Sequence, residues 1–523
     1  MNLRSLWAEK AARNGDRTFL LFRDERVSYA QMNARSNSVA NALLAQGIRK
    51  GDKVAVMLGN GPEFLYLWFG LTKIGAVMVP INTANRGDGL AYVLDHSEAR
   101  AIYFEARFRD QVKAISSRVS RLQDLIEVPG RDGTLPVDGG ARYRAMLDAG
   151  DTLGADIDLS DADVMSINYT SGTTGPPKGA LIPHAMYPQV GAAYAKWVQA
   201  EQGSVIYTCL PLFHANAQGL STMGALAADG VLALGDSFSA STFWDDCRRH
   251  GAHVFNYVGG MIPILMKQPS RPDDGDNPVR IAWGAAAPRE IWREFEKRFA
   301  LRIVEGYGTT EDSIPLTNLP ESCRMGTIGK PTELASVAIV DAEDRPLPAG
   351  EIGEIVVRPL APHCMMLGYY KMPEETLRRA RNLWWHSGDL GYTDAEGYFY
   401  FVDRAKDCIR RRGENISTFE LENATNRHAA VLESAAIGVP SDVGEEDVKI
   451  FVRLRPGASV APEELLRHLE EHLPYFAIPR YVEFVDEFPK TPTERIRKHL
   501  LKERRPDASM WDRERAGFSL RRN

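Results

Sequence analysis

Tyr169-Thr170-Ser171-Gly172-Thr173-Thr174-Gly175-Pro176-Pro177-Lys178-Gly179 follows an apolar run that holds Val164, Met165 and Ile167. Glycines 172, 175 and 179 let backbone N–H groups turn toward an anion, and the four hydroxyls between residues 170 and 174 donate to its oxygens. Lys178 adds a point charge, so the stretch has the chemistry of a phosphate-holding loop. It is not a Walker A loop, which needs Gly-Lys-Ser/Thr where this chain has Pro177-Lys178-Gly179. Plain Gly/Thr surface turns share this composition, and the surrounding chain must decide between them.

Outward from the loop, helical and strand patterns alternate. Tyr29 to Leu44 has helical spacing and ends near Gly47, Lys53 to Leu58 reads as a buried strand, Pro62 to Lys73 as a helix, and Ala76 to Pro80 as a strand. The rhythm returns from Val205 to Leu234 and from Val254 to Val304. Strands separated by helices of this length imply βαβ units on a parallel sheet. From about Gly326 the texture becomes β-rich, with Ser336 to Asp341 and Glu354 to Arg358 as short strands around the turn-forming residues 344–350. After Arg404 a third texture begins, with helices at Glu420 to Arg427 and Pro462 to Leu473 and strands at Ala435 to Val439 and Lys449 to Val452. That unit has the size of a separate domain. The charge-dense end, from Arg504, carries Trp511 and Phe518 and reads as a tail lying on the surface.

A chain of 523 residues exceeds one core and divides into domains. Its 44% hydrophobic and 25% charged residues are those of an ordinary globular protein. A net charge of −6 and a pI near 6.1 argue against a general nucleic-acid binder. Phe64 to Ile81 is the longest apolar contender for a membrane span, but Gly70, Lys73 and Gly75 interrupt it. The first residues have no signal core, and the five cysteines show no paired spacing. Both features lead to the expectation of a cytoplasmic protein with reduced thiols.

Further motifs carry chemistry. Glu305-Gly306-Tyr307-Gly308-Thr309-Thr310-Glu311 follows a strand read at Leu301 to Val304. Its glycines bring an aromatic ring beside a closely approaching ligand, and Glu311 suits a hard cation. A strand-to-helix turn with a solvated carboxylate is the plainer reading. Trp384-Trp385-His386-Ser387-Gly388-Asp389 offers a carboxylate behind a glycine, although Gly-Asp is common in turns. Leu210 to His214 ends another strand, and a lone histidine after an apolar run is more often a packed core residue than a functional one. The small residues of Trp283-Gly284-Ala285-Ala286-Ala287-Pro288 permit close backbone approach, and Tyr257, Gly259, Gly260 and Met261 are either pocket or core.

Together with Phe401-Val402-Asp403-Arg404 and Arg412-Gly413-Glu414-Asn415-Ile416-Ser417, these motifs resemble the adenylate-forming superfamily of acyl-CoA synthetases, luciferases and peptide-synthetase adenylation domains. The likeness runs over nearly the whole chain and is greatest to the carnitine/crotonobetaine-type CoA ligases. The fold it implies is α/β. A large N-terminal domain, 1–403, has parallel sheets flanked by helices plus a β-rich subdomain, and a small mobile α+β domain, 404–523, turns on a hinge near Lys406. The reaction it implies is AMP-forming acid–CoA ligation with ATP, Mg²⁺ and coenzyme A on a small-molecule carboxylic acid. The alternative is transfer of the adenylated acyl group to a carrier protein or other acceptor, and a nucleotide-binding scaffold without catalysis is a third reading.

The resemblance also assigns residues. Thr170, Ser171, Gly172, Thr173, Thr174, Gly175 and Lys178 would hold the phosphates, and Thr174 with Glu311 the Mg²⁺. Gly284, Ala285, Ala286, Gly306, Tyr307, Gly308 and Thr309 would surround adenine, and Thr310 would touch the α-phosphate. Asp389 would take the ribose hydroxyls, Arg404 the ribose or α-phosphate, and His214 would wall off the acyl pocket from the CoA channel. Lys406 would be the hinge, with Arg410 and Gly413 entering the site for thioester formation. One departure stands out: where the family has a Gly-Lys pair near the C-terminus, this chain has Glu494-Arg495, flanked by Lys490 and Lys498. No partner beyond small molecules is implied: no nucleic acid and no membrane span, with a homodimer left open.

Overall fold

The computed structural model describes residues 1–153, 157–170, 177–258, 260–404, 409–411, 414–416, 418–441, 446–473, 477–490, 495–504 and 510–520. The chain separates into two compact units. The first comprises Met1–Thr170, Pro177–Val337 and Val357–Trp385, and the second Ala338–Val356 and His386–Asn523.

Two sheets organise the first unit. The larger has nine strands, in the spatial order Lys330–Pro331, Ser313–Thr317, Arg302–Thr309, Ile281–Ala285, Val254–Val258, Val205–Thr208, Val231–Leu234, Thr18–Phe22 and Glu25–Ser28. From Arg302–Thr309 to Thr18–Phe22 all neighbours are parallel, and the antiparallel pairs lie at the two edges. The six-stranded sheet runs Asp124–Val128, Ala101–Glu105, Lys53–Met57, Val77–Pro80, Val164–Thr170, Lys178–Pro183, parallel except for its last pair. Parallel neighbours need crossover connections, and helices supply most of them.

The helix Tyr29–Ala45 starts where Ser28 accepts the Gln31 N–H and the Gln31 side chain accepts the Ser28 N–H, a reciprocal cap. The apolar stretch from residue 64 divides into the helix Pro62–Lys73 and the strand Val77–Pro80. All of that helix but Glu63 is buried, so its hydrophobicity serves the core. No described helix is long and apolar enough to cross a membrane. Lys73 ends the helix inside the core, donating to Asn33 O (3.1 Å) and to Asn33 Oδ1, Ser36 Oγ and Asn37 Oδ1 (each 2.7 Å). Burial pushes its pKa down to about 7, and the charge of Arg4 adds to the effect.

A four-stranded sheet has the order Ala335–Val340, Gly353–Pro359, Trp385–Thr393, Phe399–Arg404, which is the expected β-rich texture. A second four-stranded sheet, Val431–Pro440, Glu446–Leu454, Tyr481–Phe484 and Trp511–Asp512, packs with the helices Thr418–Asn426 and Pro462–Glu470 around a core of its own. The tail is more than surface cover: Trp511 and Asp512 pair with Val482 and Tyr481, and Trp511 meets Phe518 edge-on. Cys209, Cys247, Cys323 and Cys364 are free thiols, and Cys408 lies outside the described residues.

Candidate functional site

In open parallel sheets, ligands bind beyond the carboxyl ends of the strands. Four neighbouring parallel strands of the larger sheet deliver the expected residues to those ends. His214 follows Val205–Thr208, Gly260 and Met261 follow Val254–Val258, Ala285 and Ala286 end Ile281–Ala285, and Thr309 to Glu311 end Arg302–Thr309. Ala286 turns the chain with φ +64°, and Ala285 and Ala286 are exposed. His214 is half-buried, edge-on to Phe213 at 4.7 Å, and its carbonyl accepts the Gln218 N–H at 3.2 Å. Gln218 belongs to a π-helical turn, Asn216–Thr222, in which Thr222 Oγ1 donates to Ala217 O. Such turns cluster at functional sites. Tyr257 is fully buried core, and Gly259 lies outside the described residues.

The Glu305–Glu311 motif is not a strand followed by a turn toward a helix. The strand continues to Thr309, turns at residues 310–312, and returns as Ser313–Thr317 in an antiparallel hairpin. Here the hairpin and its neighbours require the glycines. A Cβ on Gly308 would lie 1.7 Å from Ser313 O, and one on Gly306 2.5 Å from the Trp283 ring. Tyr307 stands in register with Leu316 and is 9% exposed. Asp312 Oδ1 accepts from Thr309 N–H (2.7 Å) and Oγ1 (2.9 Å), and Thr309 Oγ1 accepts the Glu311 N–H (3.2 Å), so the turn bearing Thr310 and Glu311 is closed by its own side chains.

Glu305 was legible only as the first letter of that motif. It is 5% exposed, and its Oε1 accepts the Ala287 N–H at 2.5 Å and the Tyr257 hydroxyl at 3.4 Å. It thereby fixes the Ala285–Ala287 segment from beneath. Burial pushes its carboxyl up to about 7, against the pull of the Ala287 N–H.

Thr170 and Lys178 face one another across the hairpin of Val164–Thr170 and Lys178–Pro183, with Thr170 Oγ1 donating to Lys178 O at 3.4 Å. Ser171, Gly172, Thr173, Thr174 and Gly175 lie outside the described residues. The Lys178 ammonium pairs with Glu375 of the helix Pro373–Arg379. Glu375 also accepts from Arg378, and that bond, with Lys178, holds its carboxyl down near 2. Lys178 lies 5.2 Å from the Tyr369 ring centroid, and the Tyr369 hydroxyl donates to Glu311 Oε1 at 2.7 Å. A cation suited to phosphate and a carboxylate suited to a metal thus meet on one tyrosine. Sequence reading passed over both Tyr369 and Glu375. Their only local signal is the tyrosine pair and acidic helix start of Tyr369-Tyr370-Lys371-Met372-Pro373-Glu374-Glu375.

Among the described residues no three His, Cys, Asp or Glu side chains gather as a metal cage. A single carboxylate oriented by a phenol fits Mg²⁺, which is commonly held by one or two carboxylates plus the substrate's phosphates. The donor set fits a metal that arrives with a nucleotide.

In the second unit, Asp389 lies on the strand Trp385–Thr393, in register with Arg404, and is 7% exposed. Its motif is a strand rather than a turn. Gly388 has φ +78°, its N–H donates to Glu354 Oε1 (2.9 Å), and the Asp389 N–H donates to Ser387 Oγ (3.0 Å). Arg410 lies in the short hairpin Ile409–Arg411 with Glu414–Ile416, while Lys406 and Gly413 lie outside the described residues. Asp403 Oδ2 receives the Thr418 N–H (2.5 Å) and hydroxyl (2.9 Å), tying the strand end to the start of the helix Thr418–Asn426. Arg495 is exposed and directly precedes Ile496, which bridges to Lys490.

Comparison with known proteins shows the family. The profile described as AMP-binding enzyme matches residues 7–370, and that of the AMP-binding enzyme C-terminal domain matches residues 420–495. A crotonobetaine/carnitine–CoA ligase of Salmonella agona is 35% identical over 513 residues, covering 96% of this chain and 99% of the relative. Among solved structures, the anthranilate CoA ligase AuaEII in complex with anthranoyl-AMP superposes with a TM-score of 0.86 at 26% identity, over 96% of this chain and 97% of that one. ATP-bound MatB from Rhodopseudomonas palustris superposes with a TM-score of 0.85 at 28% identity, over 96% of this chain and 99% of the other.

Proposed function

The chain belongs to the AMP-binding enzyme family, and from that premise we propose how its residues carry out acid–CoA ligation. It is an AMP-forming acyl-CoA synthetase that uses ATP and coenzyme A. A carboxylate oxygen of the acid attacks the α-phosphorus of ATP, the bond to the β-phosphate oxygen breaks, and pyrophosphate leaves. The CoA sulfur, having lost its proton, then attacks the acyl carbon, and the bond to AMP breaks to leave the thioester. Neither step needs a covalent enzyme nucleophile.

In this reading the 170–175 loop and Lys178 hold the phosphates, with Lys178 exchanging Glu375 for a phosphate oxygen. Gly284 to Ala286 and Gly306 to Thr309 surround the adenine, with Tyr307 stacking on it, and Thr310 contacts the α-phosphate. Glu311, with Thr174, holds Mg²⁺, which when bound neutralises charge on the transferring nucleotidyl group. Asp389 accepts the ribose hydroxyls and Arg404 contacts ribose or phosphate. His214 walls the acyl pocket, Lys406 is the hinge of a domain beginning at 404, and Arg410 and Gly413 serve the thioester step. The observation that carries the reading is the meeting of Lys178 and Glu311 on Tyr369, a phosphate cation beside a metal carboxylate.

The identity to carnitine-type ligases supports a short or medium carboxylic acid as substrate, polar acids among them, with aryl and dicarboxylic acids as the alternatives. We place the enzyme in the cytoplasm, and a homodimer is the assembly to test by light scattering. A panel of acids assayed for AMP and pyrophosphate, with and without CoA, tests the function. Thioester should form in step with AMP. Release of ADP and phosphate would end the adenylation reading, and acid-dependent AMP release indifferent to CoA would favour another acceptor. Asp389→Ala should raise the ATP Michaelis constant about tenfold, as loss of a charge-assisted bond does. A defect confined to the acid would move Asp389 to the acyl pocket.

A further inference from the structure

One run of chain, 366–376, touches both charges of the phosphate site. Its first part lies antiparallel to the Lys178–Pro183 strand: Leu367 N–H donates to Leu181 O (2.9 Å), Leu181 N–H to Gly368 O (2.9 Å), and Tyr370 N–H to Gly179 O (2.8 Å). This register puts the Tyr369 ring under the Lys178 ammonium. The same run reaches Glu311 twice, through Met366 N–H to Glu311 O (2.9 Å) and through the Tyr369 hydroxyl to Oε1 (2.7 Å). Its far end is fixed by Tyr369 N–H donating to Thr376 Oγ1 (2.9 Å), within the helix that presents Glu375 to Lys178.

Tyr369 is only 5% exposed and stands 5.8 Å from Trp385, so the ring is packed. The phenol has one hydroxyl proton to give, and it goes to Glu311 Oε1. A carboxylate with one oxygen held by a buried phenol presents the other in a set direction, and partners of this kind tune metal affinity.

We infer that Tyr369 is a positioning residue that fixes Glu311 for the magnesium–nucleotide complex and seats Lys178 over its ring. The inference rests on Glu311 being the metal-binding carboxylate. It predicts that the hydroxyl matters only when metal is present, while the ring matters with or without it.

Calorimetric titration of ATP, in Mg²⁺ and in EDTA and without acid substrate, separates these roles. Tyr369→Phe keeps the packing and removes only the donor. It should lose about tenfold of the tightening that Mg²⁺ confers on the wild type, while ATP affinity in EDTA stays within about twofold. Tyr369→Leu, which removes the ring, should weaken ATP in both conditions. A Tyr369→Phe protein with wild-type Mg²⁺-dependent tightening would overturn the inference, as would one equally weakened in Mg²⁺ and EDTA. Glu311→Gln marks the other failure. If it lacks the tightening while Tyr369→Phe retains it, the positioning role alone is wrong. If both retain it, Glu311 is not the metal-binding residue and the reading beneath the inference fails.

Discussion

Glu305→Ala will destabilise the first unit by about 2–4 kcal/mol and slow acyl-AMP formation about a hundredfold, whereas Glu305→Gln will keep most of both. The alanine removes the acceptor of the buried Ala287 N–H and opens a cavity beside Tyr257. The unpaired N–H alone costs about 1–3 kcal/mol. The rate effect follows from position, because Ala287 anchors the sharp turn at Ala286, and small misplacements near reacting groups slow chemistry by about two orders of magnitude. Glutamine retains an oxygen that accepts the N–H but does not titrate. In the folded protein the Glu305 carboxyl is raised from 4.5 to about 7, so the protonated form is favoured by folding. Its contribution is therefore complete below about pH 4.5 and lost as pH rises through about 7. Thermal unfolding at pH 5, 7 and 8 should show the wild type losing ground to Glu305→Gln across that range. A constant difference between the two would mean that Glu305 is ionised throughout, and an alanine variant as stable as wild type would remove its anchoring role.

The sequence carried the scaffold well where local and tertiary demands agree. Pro62–Lys73 has a proline in its first turn and a dense apolar run from Phe64 to Leu71, and it is a helix over those residues. The strands around it are short, β-branched and bounded by turns, and were legible for the same reason. The Glu305–Thr309 strand was not, because two glycines hide its period, and the causes lie far away in sequence, in the Trp283 ring and the Ser313 carbonyl. The strand that carries Asp389 was hidden likewise, behind a glycine with positive φ. Of the candidate site, Lys178, Tyr307, Thr310 and Glu311 are readable as motif letters. Tyr369 is not, and the part played by Glu305 is not, since each acts through a contact with a residue that only the fold brings near. Glu305 also has its charge suppressed by burial that no local pattern announces.

Arg495→Ala will suppress acyl-AMP formation about a hundredfold to a thousandfold, the usual consequence of losing one preorganised donor at a charged transition state. Thioester formation from preformed acyl-AMP will stay close to wild type. Adenylation brings the acid's carboxylate against the α-phosphate, and a cation there offsets the repulsion of two anions. Arginine supplies a permanent charge and a planar fork of donors, so Arg495→Lys should retain much of the activity. Two other cations lie in this part of the chain. Lys490 pairs with Glu433 at 2.8 Å, and Lys498 donates to Thr418 Oγ1 at 2.6 Å and pairs with Glu422 at 2.8 Å. Burial pushes the Glu422 carboxyl up and Lys498 opposes it, so Lys498→Ala removes the charge that keeps this site balanced. Its effect should therefore appear as a lower unfolding temperature of the second unit, with little change in the adenylation rate of the protein that remains folded. Lys490→Ala, breaking a more exposed pair, should be nearly silent in both. The Ile496 bridge to Lys490 and the Arg497 N–H bond to Pro489 O at 2.8 Å pin the chain just after Arg495, whose side chain is exposed. An Arg495→Ala enzyme that forms acyl-AMP at the wild-type rate, beside a Lys490→Ala or Lys498→Ala enzyme that does not, would transfer the role to that lysine.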